Sequence, residues 1–327
     1  MIADHAYEVS AGQVFLRLPW LATAFDPYLK LEGLNPAGSI KLKAAREIIE
    51  TAEAQGLLGP GASIIESTSG NLGIALATLC AAKGYRITLV TDPNANPRGL
   101  AHMRALGATV VVIDRRDRDG GYLQARIDHI LGELAADPTL VWLNQYANPA
   151  NVAAHRRHTA REIVEGFGVP DWLFVGVGTS GTLMGCVDHF RDTATTIVAV
   201  DSVGSVTFGA PPAPRFVPGI GTSRRPELVR DENAFRLVYV SELDAIRLCR
   251  RLARERGLLL GGSSGSVLAA MLALGEQIPA GARVLGLSPD LGDRYLDTIY
   301  DNDWVTERFG RDALTVRGRN TACSSTR

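Results

Sequence analysis

Strand-like and helical runs alternate along most of this 327-residue chain, and three of the crossings are built from glycine, serine and threonine. Ser63-Ile64-Ile65-Glu66 passes through Ser67-Thr68-Ser69-Gly70 into a helical pattern from Asn71 to Lys83, which Gly84 closes. Trp172 to Val175 passes through Gly176-Val177-Gly178-Thr179-Ser180-Gly181-Thr182 into another, and Gly261-Gly262-Ser263-Ser264-Gly265 opens a third. Arg86 to Val90, Thr109 to Ile113, Thr196 to Val200, Leu237 to Val240 and Arg283 to Leu287 also read as strands, with helical or loop material between them. A short helix ends at Gly107, and another starts near Glu242 with Ser241 as its cap and Asp244 three residues on. Strands joined by helices run parallel, so the pattern predicts an α/β protein with mostly parallel sheets.

In such folds ligands collect beyond the carboxyl ends of the strands. The Gly176–Thr182 turn offers close backbone approach and the free N–H groups of a helix start, which suits a phosphate. It also satisfies G-x-G-x-x-G, with Asp201 ending the next strand, so a nicotinamide-binding unit competes locally. The Ser67–Asn71 junction carries more hydroxyls than one helix cap needs, which suits a carboxylate ligand.

Lysine is scarce: the only ones are Lys30, Lys41, Lys43 and Lys83, while arginine is abundant. Arginine serves for surface charge, but only an amine can lose its proton and form an imine with an aldehyde. Lys41 stands where the small-residue turn Asn35-Pro36-Ala37-Gly38-Ser39 enters a helical pattern. A lysine, a phosphate loop and a carboxylate loop together point to pyridoxal phosphate and an amino acid.

A formal net charge of -1 argues against nucleic acid or an anionic membrane as the main partner. No apolar run approaches a membrane span, and the short acidic N-terminus does not read as a signal peptide. Cys80, Cys186, Cys249 and Cys323 form no CxxC pair, and the first three lie in helical patterns, which suggests reduced thiols in a cytoplasmic protein. His155 and His158 have no further ligands nearby in sequence, so no metal site is expected.

On these motifs the chain resembles the cysteine synthase family of pyridoxal-phosphate enzymes, from about residue 10 to 305. The resemblance implies fold type II, like the β subunit of tryptophan synthase: two α/β domains with the cofactor in the cleft between them. The smaller domain would span 36–145 and the larger 10–35 and 146–310, leaving 311–327 as a loose tail and Pro211–Pro214 as an exposed loop. It implies that Lys41 carries the cofactor as an imine and takes the Cα proton, and that Asn71 meets the ring hydroxyl. Gly178, Thr179, Ser180, Gly181 and Thr182 would cradle the phosphate, and Ser263 would face the pyridine nitrogen. Ser67, Thr68, Ser69, Gly70 and Gln145 would hold the substrate carboxylate, with Gly219-Ile220-Gly221 as a mobile segment. Arg224, just beyond it, would read a leaving phosphate. Asp201 then has an ordinary role in closing a strand.

Closer likeness within the family rests on Ile65–Leu76, Gly120-Gly121-Tyr122-Leu123, Asn144–Asn148, Val200–Gly209, Pro218–Arg224 and Asp290–Asp297. It implies β-replacement on O-phospho-L-serine by the amine of L-glutamate through an aminoacrylate, toward 2,3-diaminopropionate and siderophore-type products. Amino-acid substrates and a homodimer are expected. A sulfur-using cysteine synthase and a non-catalytic regulatory homologue remain alternatives. Two departures stand out: Leu42-Lys43 follows the lysine where relatives read Asp-Arg, and Ser180 replaces a common glycine.

Overall fold

The computed structural model describes residues 3–22, 24–117 and 121–314; Gly120, Cys323 and the tail 315–327 lie outside them. Ten strands are described: β1 (Phe15–Arg17), β2 (Asp26–Leu31), β3 (Ser63–Ser67), β4 (Arg86–Thr91), β5 (Thr109–Val112), β6 (Val141–Trp142), β7 (Trp172–Gly176), β8 (Thr196–Ser202), β9 (Arg236–Val240) and β10 (Arg283–Ser288). The helices are α1 (Lys41–Ala54), α2 (Asn71–Lys83), α3 (Pro97–Ala105), α4 (Leu123–Ala136), α5 (Pro149–Ala154), α6 (Ala160–Gly166), α7 (Gly181–Phe190), α8 (Glu242–Arg256), α9 (Gly262–Ala273) and α10 (Asn302–Phe309).

Two sheets result. A four-stranded sheet has the order β5-β4-β3-β6 with every pair parallel. A six-stranded sheet has the order β1-β2-β10-β7-β8-β9, parallel except for β1 against β2. Along β7, Trp172 and Phe174 face the layer that contains α8 and α9, while Leu173 and Val175 face α7. Both faces are covered, so the strand is apolar throughout and does not alternate. In the smaller sheet Ile64 packs toward α1 and α2, and Ile65 toward Ile130 of α4. Each such side chain contributes about 1.5–3 kcal/mol by burial. The axes of α8 and α9 come close because Gly265 has no side chain: a Cβ there would sit 2.1 Å from the Ala245 carbonyl oxygen.

The strands and the helix Asn71–Lys83 expected from the pattern form as expected, and Gly84 ends α2 at φ 73°. Ser241 accepts from the Asp244 N–H to cap α8. Strands β1, β2 and β6 escape the pattern. Two are very short, and β2 carries Pro27 and the fully buried Lys30. Pro211–Pro214 is exposed as expected, whereas Arg311–Leu314 is a 3-10 turn with Ala313 buried, so the described start of the expected loose tail is packed. No helix among the described residues is long and apolar enough to cross a membrane. Among them no cluster of acidic, histidine or cysteine groups could hold a metal.

Candidate active site

The loop before α1 is braced by its asparagine. Asn35 Nδ2 donates to the carbonyls of Glu32 (2.9 Å) and Ser39 (3.0 Å), and its Oδ1 accepts from the Ala37 N–H (3.1 Å). The Ile40 N–H reaches the Pro289 carbonyl at 2.7 Å, so the start of α1 is pinned to the end of β10. Burial lowers the Lys41 amine to about 8. Lys43 is treated differently. Its Nζ donates to Glu32 Oε2 (2.7 Å) and to Glu162 Oε2. Lys30 Nζ donates to the same two carboxylates, at 2.5 and 2.7 Å, and to the Gly12 carbonyl. Burial alone would lower Lys43, but Glu32 and Glu162 outweigh it and hold it above its ordinary value. Two residues apart on one helix, the lysines diverge: Lys43 is spent on a buried ion network, and Lys41 has the amine suited to an aldehyde.

Ser67 ends β3, and the turn to α2 follows. Thr68 Oγ1 accepts from the N–H groups of Gly70 (3.3 Å) and Gly73 (3.2 Å), so this hydroxyl caps α2 and keeps its own proton to donate. Ser69 is exposed. Gln145 Nε2 donates to the Ser67 carbonyl at 3.0 Å, joining the loop after β6 to the one after β3. Arg224 lies over the ring of Tyr146 at 5.2 Å and pairs with Glu227 at 2.7 Å. Arg225 pairs with Glu232 on the exposed surface.

After β7 the chain turns into α7 through Ser180, whose φ is 69°. This left-handed backbone costs a non-glycine residue roughly 1–2 kcal/mol and explains why glycine is usual here. Asn151 Nδ2 donates to Thr179 Oγ1 (3.1 Å) and to the Gln145 carbonyl (3.0 Å), linking the turn after β7 to the loop after β6. A Cβ on Gly181 would sit 2.2 Å from Asn151 Oδ1, so glycine is required. Thr182 Oγ1 meets His155 Nε2 at 3.2 Å, and the other ring nitrogen meets Thr159 Oγ1 at 3.0 Å. Burial first, then the charges of Lys41 and Lys43, hold His155 well below its ordinary value, so it is neutral. His155–Thr159 forms one π-helical turn between α5 and α6, a feature often found at functional sites. His158 faces Glu47 instead, at 3.4 Å.

Gly219 closes the other side. Its carbonyl oxygen would be 3.4 Å from a Cβ on Gly178, and its own Cβ position lies 3.9 Å from Ser263 Oγ. Asn71, at the start of α2, is held at both ends of its amide. Its Nδ2 donates to Asp290 Oδ2 at 2.7 Å, and its Oδ1 accepts from Arg294 at 2.5 Å. The structure thus links the lysine loop to Asn71 through Arg294, Ser67 to Gln145 and Thr179 through Asn151, and Gly178 to Ser263 through Gly219. Asn151 is not singled out in the sequence, although Asn148-Pro149-Ala150-Asn151 is a visible helix-start signal; His155 is read there only against a metal site, and Asp290 and Arg294 only as part of the Asp290–Asp297 likeness, with no role at the site.

Two hydroxyls test the fit of a phosphorylated amino-acid cofactor site. Ser67 Oγ and Ser180 Oγ are buried without a protein partner, one in each loop. A buried hydroxyl needs an acceptor or donor, and phosphate and carboxylate oxygens supply it. The residues fit. By contrast Asp201, the acidic residue of the nicotinamide reading, is fully buried and accepts from the Ser202 N–H. The chain matches the family model described as "Pyridoxal-phosphate dependent enzyme" over residues 12–290. It belongs to that family. The enzyme uses pyridoxal 5'-phosphate, and its relatives are synthases of the β-replacement kind, as it is. It is 46% identical over 93% of its length to N-(2-amino-2-carboxyethyl)-L-glutamate synthase of Ralstonia nicotianae, covering 92% of that protein. It is 42% identical to the protein of the same name from Cupriavidus metallidurans, over 88% of this chain and 86% of that one. Among solved structures, O-ureido-L-serine synthase superposes with a TM-score of 0.84 at 31% identity, over 94% of this chain and 96% of that one. The O-acetylserine-dependent cystathionine β-synthase of Helicobacter pylori does so with a TM-score of 0.84 at 28% identity, over 92% of this chain and all of that one.

Proposed function

We propose that this enzyme joins O-phospho-L-serine to L-glutamate, giving N-(2-amino-2-carboxyethyl)-L-glutamate and phosphate, for 2,3-diaminopropionate and siderophore-type biosynthesis. The observation that carries this reading is the 46% identity over 93% of the chain with a synthase of that name. Bound, the pyridoxal phosphate supplies the electron sink that loosens the substrate's Cα proton and its β-substituent. Lys41 would hold the cofactor by its aldehyde carbon, and once the incoming substrate amine has displaced it, its own amine, lowered to about 8, would be free to take the Cα proton. Gly178 to Thr182 hold the cofactor phosphate, with the unpartnered Ser180 hydroxyl among the donors. Asn71 would meet the ring hydroxyl, and Ser263 would offer the pyridine nitrogen a neutral group, which favours elimination at Cβ over racemisation.

Ser67, Thr68, Ser69, Gly70 and Gln145 hold the substrate carboxylate. Arg224, whose Nε is buried without a partner, receives the leaving phosphate at the edge of the Gly219–Gly221 segment. The division into a smaller part, 36–145, and a larger part, 10–35 with 146–310, follows the two sheets and belongs to the same proposal. So does a cytoplasmic homodimer, with the buried thiols of Cys80, Cys186 and Cys249 suited to a reducing compartment. Purified protein is supplied with O-phosphoserine and either glutamate or sulfide, and the products are weighed by mass spectrometry. A glutamate adduct supports the reading. Cysteine alone would make it a cysteine synthase, and no consumption of O-phosphoserine with either nucleophile would make it a regulatory homologue.

A further inference from the structure

Asp290 lies just past the end of β10, 3% exposed, where four separate segments converge. Its backbone bridges to Ser39 in the lysine loop and accepts from the Gly261 N–H at the start of α9. Its Oδ2 accepts from Asn71 Nδ2 and from the Tyr295 hydroxyl. Its Oδ1 has no partner and lies 1.9 Å from where a Cβ on Gly261 would be, so the turn leading to Ser263 packs directly on the carboxylate. Arg294 completes the arrangement, donating to Asn71 Oδ1 at 2.5 Å and to the Ala37 carbonyl at 2.6 Å.

This geometry decides something about Asn71 that its own sequence cannot. A free asparagine amide can present either its oxygen or its nitrogen to a neighbour, since the two ends are nearly equal in shape. Here the oxygen is claimed by a cation and one N–H by an anion. Turning the amide over would set its oxygen against the Asp290 carboxylate and its N–H groups against the Arg294 guanidinium, losing two charge-assisted bonds at once. The nitrogen is held on the Asp290 side and the oxygen on the Arg294 side, so the direction of the second N–H is fixed with them.

We infer that Asp290 and Arg294 are positioning residues that lock the Asn71 amide so that it presents a hydrogen-bond donor, and never an acceptor, to the ring oxygen of the cofactor. The inference rests on the proposed placement of Asn71 against that oxygen. Burial raises the pKa of Asp290, and the hydrogen bonds from Tyr295 and Asn71 and the charge of Arg294 oppose that rise. Cys249 and Tyr300 also face it, both with pKa values pushed upward by burial and so uncharged at neutral pH.

The test measures pyridoxal-phosphate affinity by equilibrium dialysis, the position of the bound cofactor's visible band, and melting of the protein stripped of cofactor. Asp290→Ala removes the acceptor and is expected to weaken cofactor affinity about tenfold or more, the size of one lost bond to a charged group, and to move the band. Asp290→Asn keeps an acceptor for Asn71 Nδ2 and is expected to restore most of both. Asn71→Asp combined with Asp290→Asn inverts the pair: the new carboxylate can accept from Arg294 and from the new amide. Its melting temperature should recover relative to Asn71→Asp alone, while affinity stays low because an acceptor now faces the ring oxygen.

Unchanged affinity and band in Asp290→Ala would overturn the inference, as would full recovery of affinity in the double variant. If Asp290→Ala fails to fold, the double variant decides alone. Asn71→Ala separates the two levels. Should it bind cofactor like the wild type, the placement of Asn71 itself is wrong; should it bind weakly while Asp290→Ala does not, the clamp alone is wrong.

Discussion

Replacing Lys43 by methionine removes one cation from a buried network of two lysines and two glutamates. In the native protein Lys30 and Lys43 each touch both Glu32 and Glu162, so the four charges cancel. The side chains are 0%, 11%, 2% and 20% exposed, for Lys30, Lys43, Glu32 and Glu162, so water screens them little. Without Lys43, two carboxylates share one ammonium group, and Glu32 keeps a single ion partner. Breaking a buried pair from one side costs about 3–5 kcal/mol. For a chain of this size that is a loss of roughly 4–7 °C in melting temperature.

The sign of the pH dependence follows from Glu32. Burial would raise its pKa, but Lys43 and Lys30 together hold it below the ordinary carboxylate range. Its contribution is therefore present at neutral pH and lost as pH falls through that range. The Lys43→Met protein has already lost part of it, so the gap between variant and wild type should be widest near pH 7 and narrow toward pH 4. Melting of the cofactor-free proteins, followed by calorimetry across that range, measures this. The visible cofactor band should survive in Lys43→Met and vanish in Lys41→Ala. Equal melting at pH 7 would refute the network argument, and the opposite spectral pattern would refute the assignment of the lysine.

Thr182→Val removes a hydroxyl from the phosphate loop while leaving His155 in place, and a lost bond to a charged group of about 1.5–3 kcal/mol should weaken cofactor retention tenfold or more in dialysis. Arg224→Ala should raise KM for O-phosphoserine about tenfold by the same measure, with little change on O-acetylserine; equal losses on both would mean that it only supports its loop. Glu66 is buried at the end of β3, and burial pushes its pKa up to about 8. A carboxyl raised in the folded state stabilises fully only below its unfolded pKa, and that stability is lost as pH rises through 8. Glu66→Gln should therefore flatten the decline in melting temperature between about pH 5 and pH 9, and an unchanged slope would show that Glu66 does not titrate there.

Local pattern carried the strands of both sheet centres, the helix Asn71–Lys83 and the three small-residue junctions, because helix and strand periods, caps and glycine turns are written within a few neighbouring residues. The same locality made Lys41 stand out, as the lysine at the mouth of such a turn. It could not place Lys30, which lies fully buried in a strand whose Asp-Pro-Tyr-Leu-Lys-Leu sequence looks like a surface segment. That charge is tolerable because Glu32 and, from 132 residues away, Glu162 both accept from it. Lys43, two residues from Lys41, is set apart from it by the same Glu162 carboxylate. The orientation of the Asn71 amide depends on Asp290, 219 residues further on. Periodicity records which face of an element is apolar, but it holds no information about which distant charge will meet which. Burial makes those pairings obligatory, since an unpaired ion in the interior is too costly to keep, and only the folded chain decides them.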